Sequence, residues 1–411
     1  MKYSFKNFND IYKAVVLIYL VSVTDLLLAY FNINFPLLRY FFATVGVFYF
    51  ARGIISTMRN FQSGSLKYAF ILLFILTMIM IARGMPVIWE GKNNYVDLKT
   101  FISGQLFVYL LPMIVFSEPN LYLLKKIFRF GYLLAVFYIL VTVIFWSFFT
   151  RYIYNGSESM GVLFAAGSSI LLLTQSYHSI RIRRVTVITF ILVLFMNLLF
   201  ARRNQVLYFS TIILFTILIH IFSRTQFAKK RKEAFLFGFI IVSIFITAYL
   251  YFANSQFTFF YERAQTGMQS REDAINNFMY DYSINPNDFI MGRGINGLIY
   301  NGTSSTGSGT LERAGIENGY LLHILKGGWV YLGLLLLITI PAIYLGFFQS
   351  KNILSKASAA IVFAYLIDMI GFGVPTLTLK HLMIWIGVSL CYSPRIRSYT
   401  DEYLKSVIGL K

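Results

Sequence analysis

One cysteine, Cys391, is all the chain has, so an intrachain disulfide and a cysteine metal cluster are both excluded. Charge is scarce too. Only 13% of the 411 residues are charged, against about 25% in a soluble domain. No small-residue cleavage site follows the opening MKYSFKNFNDIYK and its apolar run, so that run reads as a first membrane helix and not a removed signal peptide. There is no internal repeat and no low-complexity tract beyond the loop segment TSSTGSG. Lysine is missing altogether from the one long polar stretch, 255–318.

What is there is apolar. Hydrophobic residues make up 57% of the chain, mean hydropathy is +0.66, and runs of about 20 apolar residues recur from end to end, each long enough to cross a bilayer. The expected fold class is an all-α polytopic membrane protein. Spans are placed near 12–30, 35–55, 67–87, 101–117, 127–150, 159–177, 185–200, 204–222, 235–253, 319–347, 357–373 and 379–392, about twelve in all. Three parts follow: a transmembrane bundle over 1–253, a long loop over 254–318, and terminal spans with a basic tail over 319–411.

The net charge of +19 would suggest nucleic acid in a soluble protein. Here the basic residues sit in alternate short connections: Arg59 and Lys67; Lys125, Lys126 and Arg129; Arg181, Arg183 and Arg184; Lys229 to Lys232; Lys351 and Lys356; Arg395, Arg397 and Lys405. That is the positive-inside pattern, and it places both termini in the cytoplasm and the long loop outside. Membrane lipids, not nucleic acid, are the expected charged partners.

The loop carries four arginines, seven carboxylates and eight glycines, a composition that suits function better than mere connection. Ser270-Arg-Glu-Asp opens a helix expected to run to about Tyr280, with Ile275, Phe278 and Met279 on its apolar face. Arg271 sits in its first turn, where a cation opposes the helix dipole, which marks it as a ligand-binding candidate. Gly292, Gly294 and Gly297 spell GxGxxG, but no strand–turn–helix unit surrounds them, and a dinucleotide site is rejected. Gly292-Arg293-Gly294 instead reads as a turn that brings backbone close to another surface. Asp281, Asp288, Glu312 and Glu317 lack the spacing of a dedicated cation loop, so no metal and no cofactor are expected. Glu317 and Asn318 lie where loop meets helix, a desolvating position for a carboxylate base or a helix cap. Gly327-Gly328 marks a break or a close helix contact, and His323 a packing or hydrogen-bonding position.

Two adjacent arginines, Arg202 and Arg203, interrupt the apolar runs on the loop side, against the charge bias. Arginine's planar fork pairs bidentately with phosphate. Within the spans, Asp25, Arg39, Arg52, Arg83, Asp368 and Lys380 are expected to snorkel or pair between helices, with Asp368 the deepest.

Three stretches in this order, FARRNQVLYF at 200–209, SREDAINNFM to IMGRGING at 270–297, and ENGYLLHILKGGWVYLGLLLL at 317–337, resemble bacterial O-antigen and capsule repeat-unit polymerases and the related O-antigen ligases. From the first to the last they span about a third of the chain. The histidine prominent in the ligases is Glu317 here, which sets the chain apart from that branch. The resemblance implies glycosyl transfer outside the cytoplasm, on the bacterial inner membrane, from a glycan on undecaprenyl pyrophosphate to a hydroxyl of a second lipid-linked repeat. Arg202, Arg203 and Arg271 would hold the pyrophosphate, and Glu317 would orient or deprotonate the acceptor. A flippase and a chain-length regulator are the implied protein partners. Two other functions compete: ligation of finished glycan to an acceptor, and export of lipid-linked sugar.

Overall fold

A computed structural model describes residues 9–17, 19–21, 23, 36–57, 65–84, 106–144, 160–199, 202–224, 275–284, 286–300, 312–313, 316, 318–371, 375–376 and 378–411. The expected span at 235–253 lies outside the described residues.

The long helices are α1 (Pro36–Ser56), α2 (Ser65–Gly84), α3 (Leu121–Ile144), α4 (Ile180–Leu199), α5 (Arg203–Arg224), α6 (Gly319–Phe348), α7 (Ile353–Gly371) and α8 (Leu379–Cys391). Among the described residues, five helices are long and apolar enough to cross a membrane: α2, α3, α5, α6 and α7. α8 and the segments Phe41–Ser56 and Gly161–Leu173 are shorter apolar helices. The chain is an all-α membrane protein; among the described residues the exception is one antiparallel pairing in which Ile299 faces Arg313 and Tyr300 faces Glu312.

Helices dominate because an apolar medium offers backbone N–H and C=O groups no other partners. The same constraint acts on hydroxyls. Thr77, Thr142, Thr211, Thr216 and Thr339 each donate to the carbonyl four residues back, satisfying a buried group inside its own helix. Apolar side chains line both sides of the bundle. Leu335, Ile338, Phe215 and Val362 are inside, whereas Leu133, Leu140, Ile188, Ile191, Leu337 and Ile340 face outward, as lipid contact requires.

Two expected spans are irregular. At 159–177 the chain forms a π-turn (Gly161–Ala165), a 3₁₀ turn (Ala166–Ser168) and a short α-helix (Ser169–Leu173). Close packing explains the change: a Cβ on Gly167 would come within 2.6 Å of Leu379. Ser168 and Ser169 donate to Ala165 and Ala166 carbonyls at 2.6 Å, taking up acceptors that the irregular turns expose. At 101–117 a helix over Leu106–Leu110 tightens to 3₁₀ over Leu111–Phe116, where Pro112 lacks the amide needed to continue it.

Among the described residues, basic connections at 125, 351 and 395–397 gather at one end of the bundle. There Lys125 Nζ donates to the Val407 carbonyl at 3.0 Å, the Lys351 amide to Arg397, and Arg395 lies 3.8 Å from Glu118. Helices Pro394–Ser398 and Asp401–Ile408 close this tail end, with Leu404, Ile408 and Leu410 buried. Asp401 accepts from the Ile353 amide at 2.8 Å and from the Tyr177 hydroxyl, so the tail caps the start of α7.

His178 fastens the end of the tail. Its Nδ1 accepts from the Leu410 amide at 3.2 Å, which leaves the proton on Nε2, 3.1 Å from Thr174 Oγ1. Burial, with Arg183 adding to it, lowers the His178 pKa to about 4. An unfolded histidine takes its proton near pH 6.5, so between about pH 6.5 and 4 the unfolded chain binds more protons and acid favours unfolding. This group's contribution is intact above that window and lost as the pH falls through it, about 3 kcal/mol in all. The melting temperature in detergent is expected to drop between pH 7 and 5, and His178→Gln to flatten that drop. A profile of unchanged slope in the variant would discard this account.

Candidate functional site

At the opposite end, segment 286–300 is set into a break in α6. Gly328 has φ 71° and ψ −176°, a conformation essentially restricted to glycine, and it divides the 30-residue helix. The break strands carbonyls that the helix would otherwise satisfy. The loop supplies the donors. Arg293 N–H donates to Leu325 O at 2.7 Å and Gly294 N–H to Lys326 O at 2.9 Å. The same strand of chain caps α2, with Ile295 N–H on Met80 O at 3.1 Å and Asn296 Nδ2 on Gly84 O at 3.2 Å. One loop therefore terminates two helices.

Such an approach needs bare backbone. A Cβ on Gly292 (φ 65°) would lie 2.5 Å from Gly327 N and Lys326 C, which is why glycine stands there. The GxG turn meets the Gly327-Gly328 pair, backbone against backbone.

Arg293 then locks the loop to itself. Its Nη1 and Nη2 reach Asp281 at 2.6 and 3.2 Å, its Nε reaches Asp288 at 2.8 Å, and Nη1 also donates to Leu298 O at 2.8 Å. The guanidinium lies 4.7 Å from the centre of the Tyr282 ring. Burial works against its charge, but the hydrogen bonds to Asp281 and Asp288 outweigh burial and raise its pKa above the ordinary value. These two carboxylates thus face an arginine and not one another. Among the described residues, no group of three or more histidine, cysteine or acidic side chains is placed to hold a metal ion.

Residues 275–284 of the loop are helical; the expected start at Ser270 lies outside the described residues. The buried stripe of this helix is Phe278 and Tyr282, stacked at 4.3 Å and fully covered. Ile275 and Met279, expected on the same face, are 38% and 53% exposed. Phe289 takes their place, 4.6 Å from the Tyr282 ring, because the chain folds back after Pro286.

The second feature of this end is the last turn of α7. Asn318 caps α6 by accepting from the Leu321 amide at 3.1 Å, and its Nδ2 donates to Ile370 O at 3.4 Å. Gly319 lies against Met369. On the same turn, Gly371 presses on the Asn204 side chain, and Asn204 Nδ2 donates to Asp368 Oδ1 at 2.9 Å. The starts of α5 and α6 are thereby brought onto one helix end. Arg202 is half-buried immediately before α5, and its amide donates to Asn197 O at 2.8 Å. Arg203 is the first residue of α5.

One turn deeper, Asp368 finds its partner in Lys380, Nζ to Oδ2 at 2.6 Å. The ammonium also stands 3.9 Å over the Tyr208 ring. His323 sits nearby in α6, its Nε2 3.0 Å from the Tyr365 hydroxyl.

Arg271 and Glu317 lie outside the described residues, as does the Arg203 side chain. The structure brings Arg202 and Asn318 to one helix end, and holds Gly292, Arg293 and Gly294 at the break in α6. Lys326 and Arg83 escaped the sequence reading as partners of the loop. The available signal was a lone lysine in an apolar run directly before Gly-Gly. Comparison with protein-family models, with curated proteins and with solved structures finds no match for this chain.

Proposed function

We propose that the protein is a membrane glycosyltransferase that joins oligosaccharide repeat units carried on undecaprenyl pyrophosphate. The observation that carries this reading is the meeting of two helix starts on the last turn of α7: one preceded by Arg202, the other capped by Asn318 beside Glu317 in sequence. Helix N-termini carry partial positive charge and unsatisfied amides, and with arginines they suit a diphosphate. The gathering of the described basic connections at the tail end supports an orientation with that end in the cytoplasm and the loop outside.

In this reading the acceptor hydroxyl attacks the anomeric carbon of the donor sugar. The bond from that carbon to the pyrophosphate oxygen breaks, and the electron pair leaves with undecaprenyl pyrophosphate. Arg202, Arg203 and Arg271 stabilise that developing charge. Glu317 takes the acceptor proton.

An export function is the second reading. A buried Asp368–Lys380 pair and a helix broken within its span are features of transporter sites. The glycan profile of cells lacking the protein separates these. A polymerase predicts single lipid-linked repeats accumulating outside, with polymer restored by wild type and reduced at least about tenfold by Arg271→Ala or Glu317→Ala. Single repeats held on the cytoplasmic face would instead establish export. Full-length glycan stranded on its carrier would establish ligation.

A further inference from the structure

The loop is fastened by two cations that the proposed chemistry does not use. Lys326 is completely buried, and its Nζ donates to the Gly297 carbonyl at 2.8 Å. Among the described residues no carboxylate lies within ion-pair reach of it, and Asp281 and Asp288 are engaged by Arg293. Arg83, at the end of α2, donates through Nη1 to Met291 O at 3.0 Å and stands 4.0 Å from Asp288.

An ammonium buried without a counter-charge is poor for stability, and an apolar residue of similar volume is often as stable or better. What favours Lys326 is its place. It sits where the first half of α6 and the whole of α2 end, both with negative dipole ends, and it holds the carbonyl of the residue after Asn296. Met would fill the same space. It would not grip Gly297.

We infer that Lys326 and Arg83 are positioning residues for the transfer: they fix segment 288–297 of the long polar loop in the α6 break. The inference rests on the polymerase reading for its functional half, while the latch itself stands on geometry alone. Arg83 acts from outside the break, being 39% exposed in its side chain, and Lys326 from within it.

The test uses the full chain in detergent or nanodiscs, with Lys326→Met and Arg83→Gln. Hydrogen exchange at the Arg293, Gly294 and Ile295 amides reads the latch. Exchange is expected to rise at least tenfold in Lys326→Met, and less in Arg83→Gln, with amides of α7 and α8 unchanged. Unchanged exchange at those three amides in both variants overturns the latch, whatever the enzyme does. Polymerisation of purified lipid-linked repeats reads its purpose. Each variant is expected to lower kcat at least tenfold with KM for the donor little changed, and to add no further loss in an Arg271→Ala background. Additive losses, or losses that track the amount of folded protein, would assign a merely structural role and overturn positioning. Should Lys326→Met fail to fold, Arg83→Gln decides alone through the same two readouts. Failure of the wild type to polymerise would refute the polymerase reading separately, since the exchange result does not depend on it.

Discussion

Gly328→Ala is expected to abolish the docking of the loop and to destabilise the protein in detergent by more than about 3 kcal/mol. Two costs add. Gly328 has φ 71°, a conformation that costs an L-residue about 1–2 kcal/mol. The new Cβ would also fall on the Ile290 carbonyl and within 2.6 Å of the Met291 amide. These are backbone atoms held by Gly292 and Arg293 bonds, so they cannot give way as a side chain would. Gly333, five residues on in the same helix, is the control. Nothing lies within 4 Å of the Cβ position there, and Gly333→Ala is expected to be neutral or to stabilise by about 0.5–1 kcal/mol. Melting curves of the two variants, with chymotryptic cleavage of the loop, check the pair. Equal behaviour would mean that the break is not what holds the loop.

The second large effect concerns Asp368 and Lys380. Each is on the wrong end of its helix: Asp368 is in the last turn of α7 and Lys380 in the first turn of α8, so each opposes its own dipole. Their side chains are only 4% and 8% exposed. Lys380→Met or Asp368→Asn alone is expected to destabilise by about 3–5 kcal/mol, since the remaining charge or its hydrogen-bond partner is stranded in an apolar interior. Lys380→Met combined with Asp368→Leu is expected to recover most of that loss, leaving mainly the Asn204 amide without its acceptor. A double variant as unstable as the worse single one would contradict a simple ion pair. If the double variant folds but produces no polymer, the pair is retained for function and not for stability.

The membrane class and the course of the long helices were legible in the sequence because they depend on length and hydropathy. The expected spans at 35–55, 67–87, 319–347, 357–373 and 379–392 lie close to α1, α2, α6, α7 and α8. The break in α6 was marked by Gly327-Gly328, and the glycine turn at 292–294 by the freedom that only glycine has. The irregular course at 161–173 was not legible. It arises from Gly167 meeting Leu379, more than two hundred residues away, and hydropathy cannot register such a contact.

Pairing was likewise decided only by the tertiary structure. Asp368 was recognisable as a buried charge, but Lys380 and Asn204 reach it from two other helices, and the Tyr208 ring lies under the lysine. The same holds for the loop. Composition marked 255–318 as the polar centre of the chain, yet which carbonyls it would satisfy depended on where α2 and the first half of α6 end side by side. Local periodicity sets what each segment can bury; only close packing sets which donor finds which acceptor, because that choice is made between residues distant in the chain.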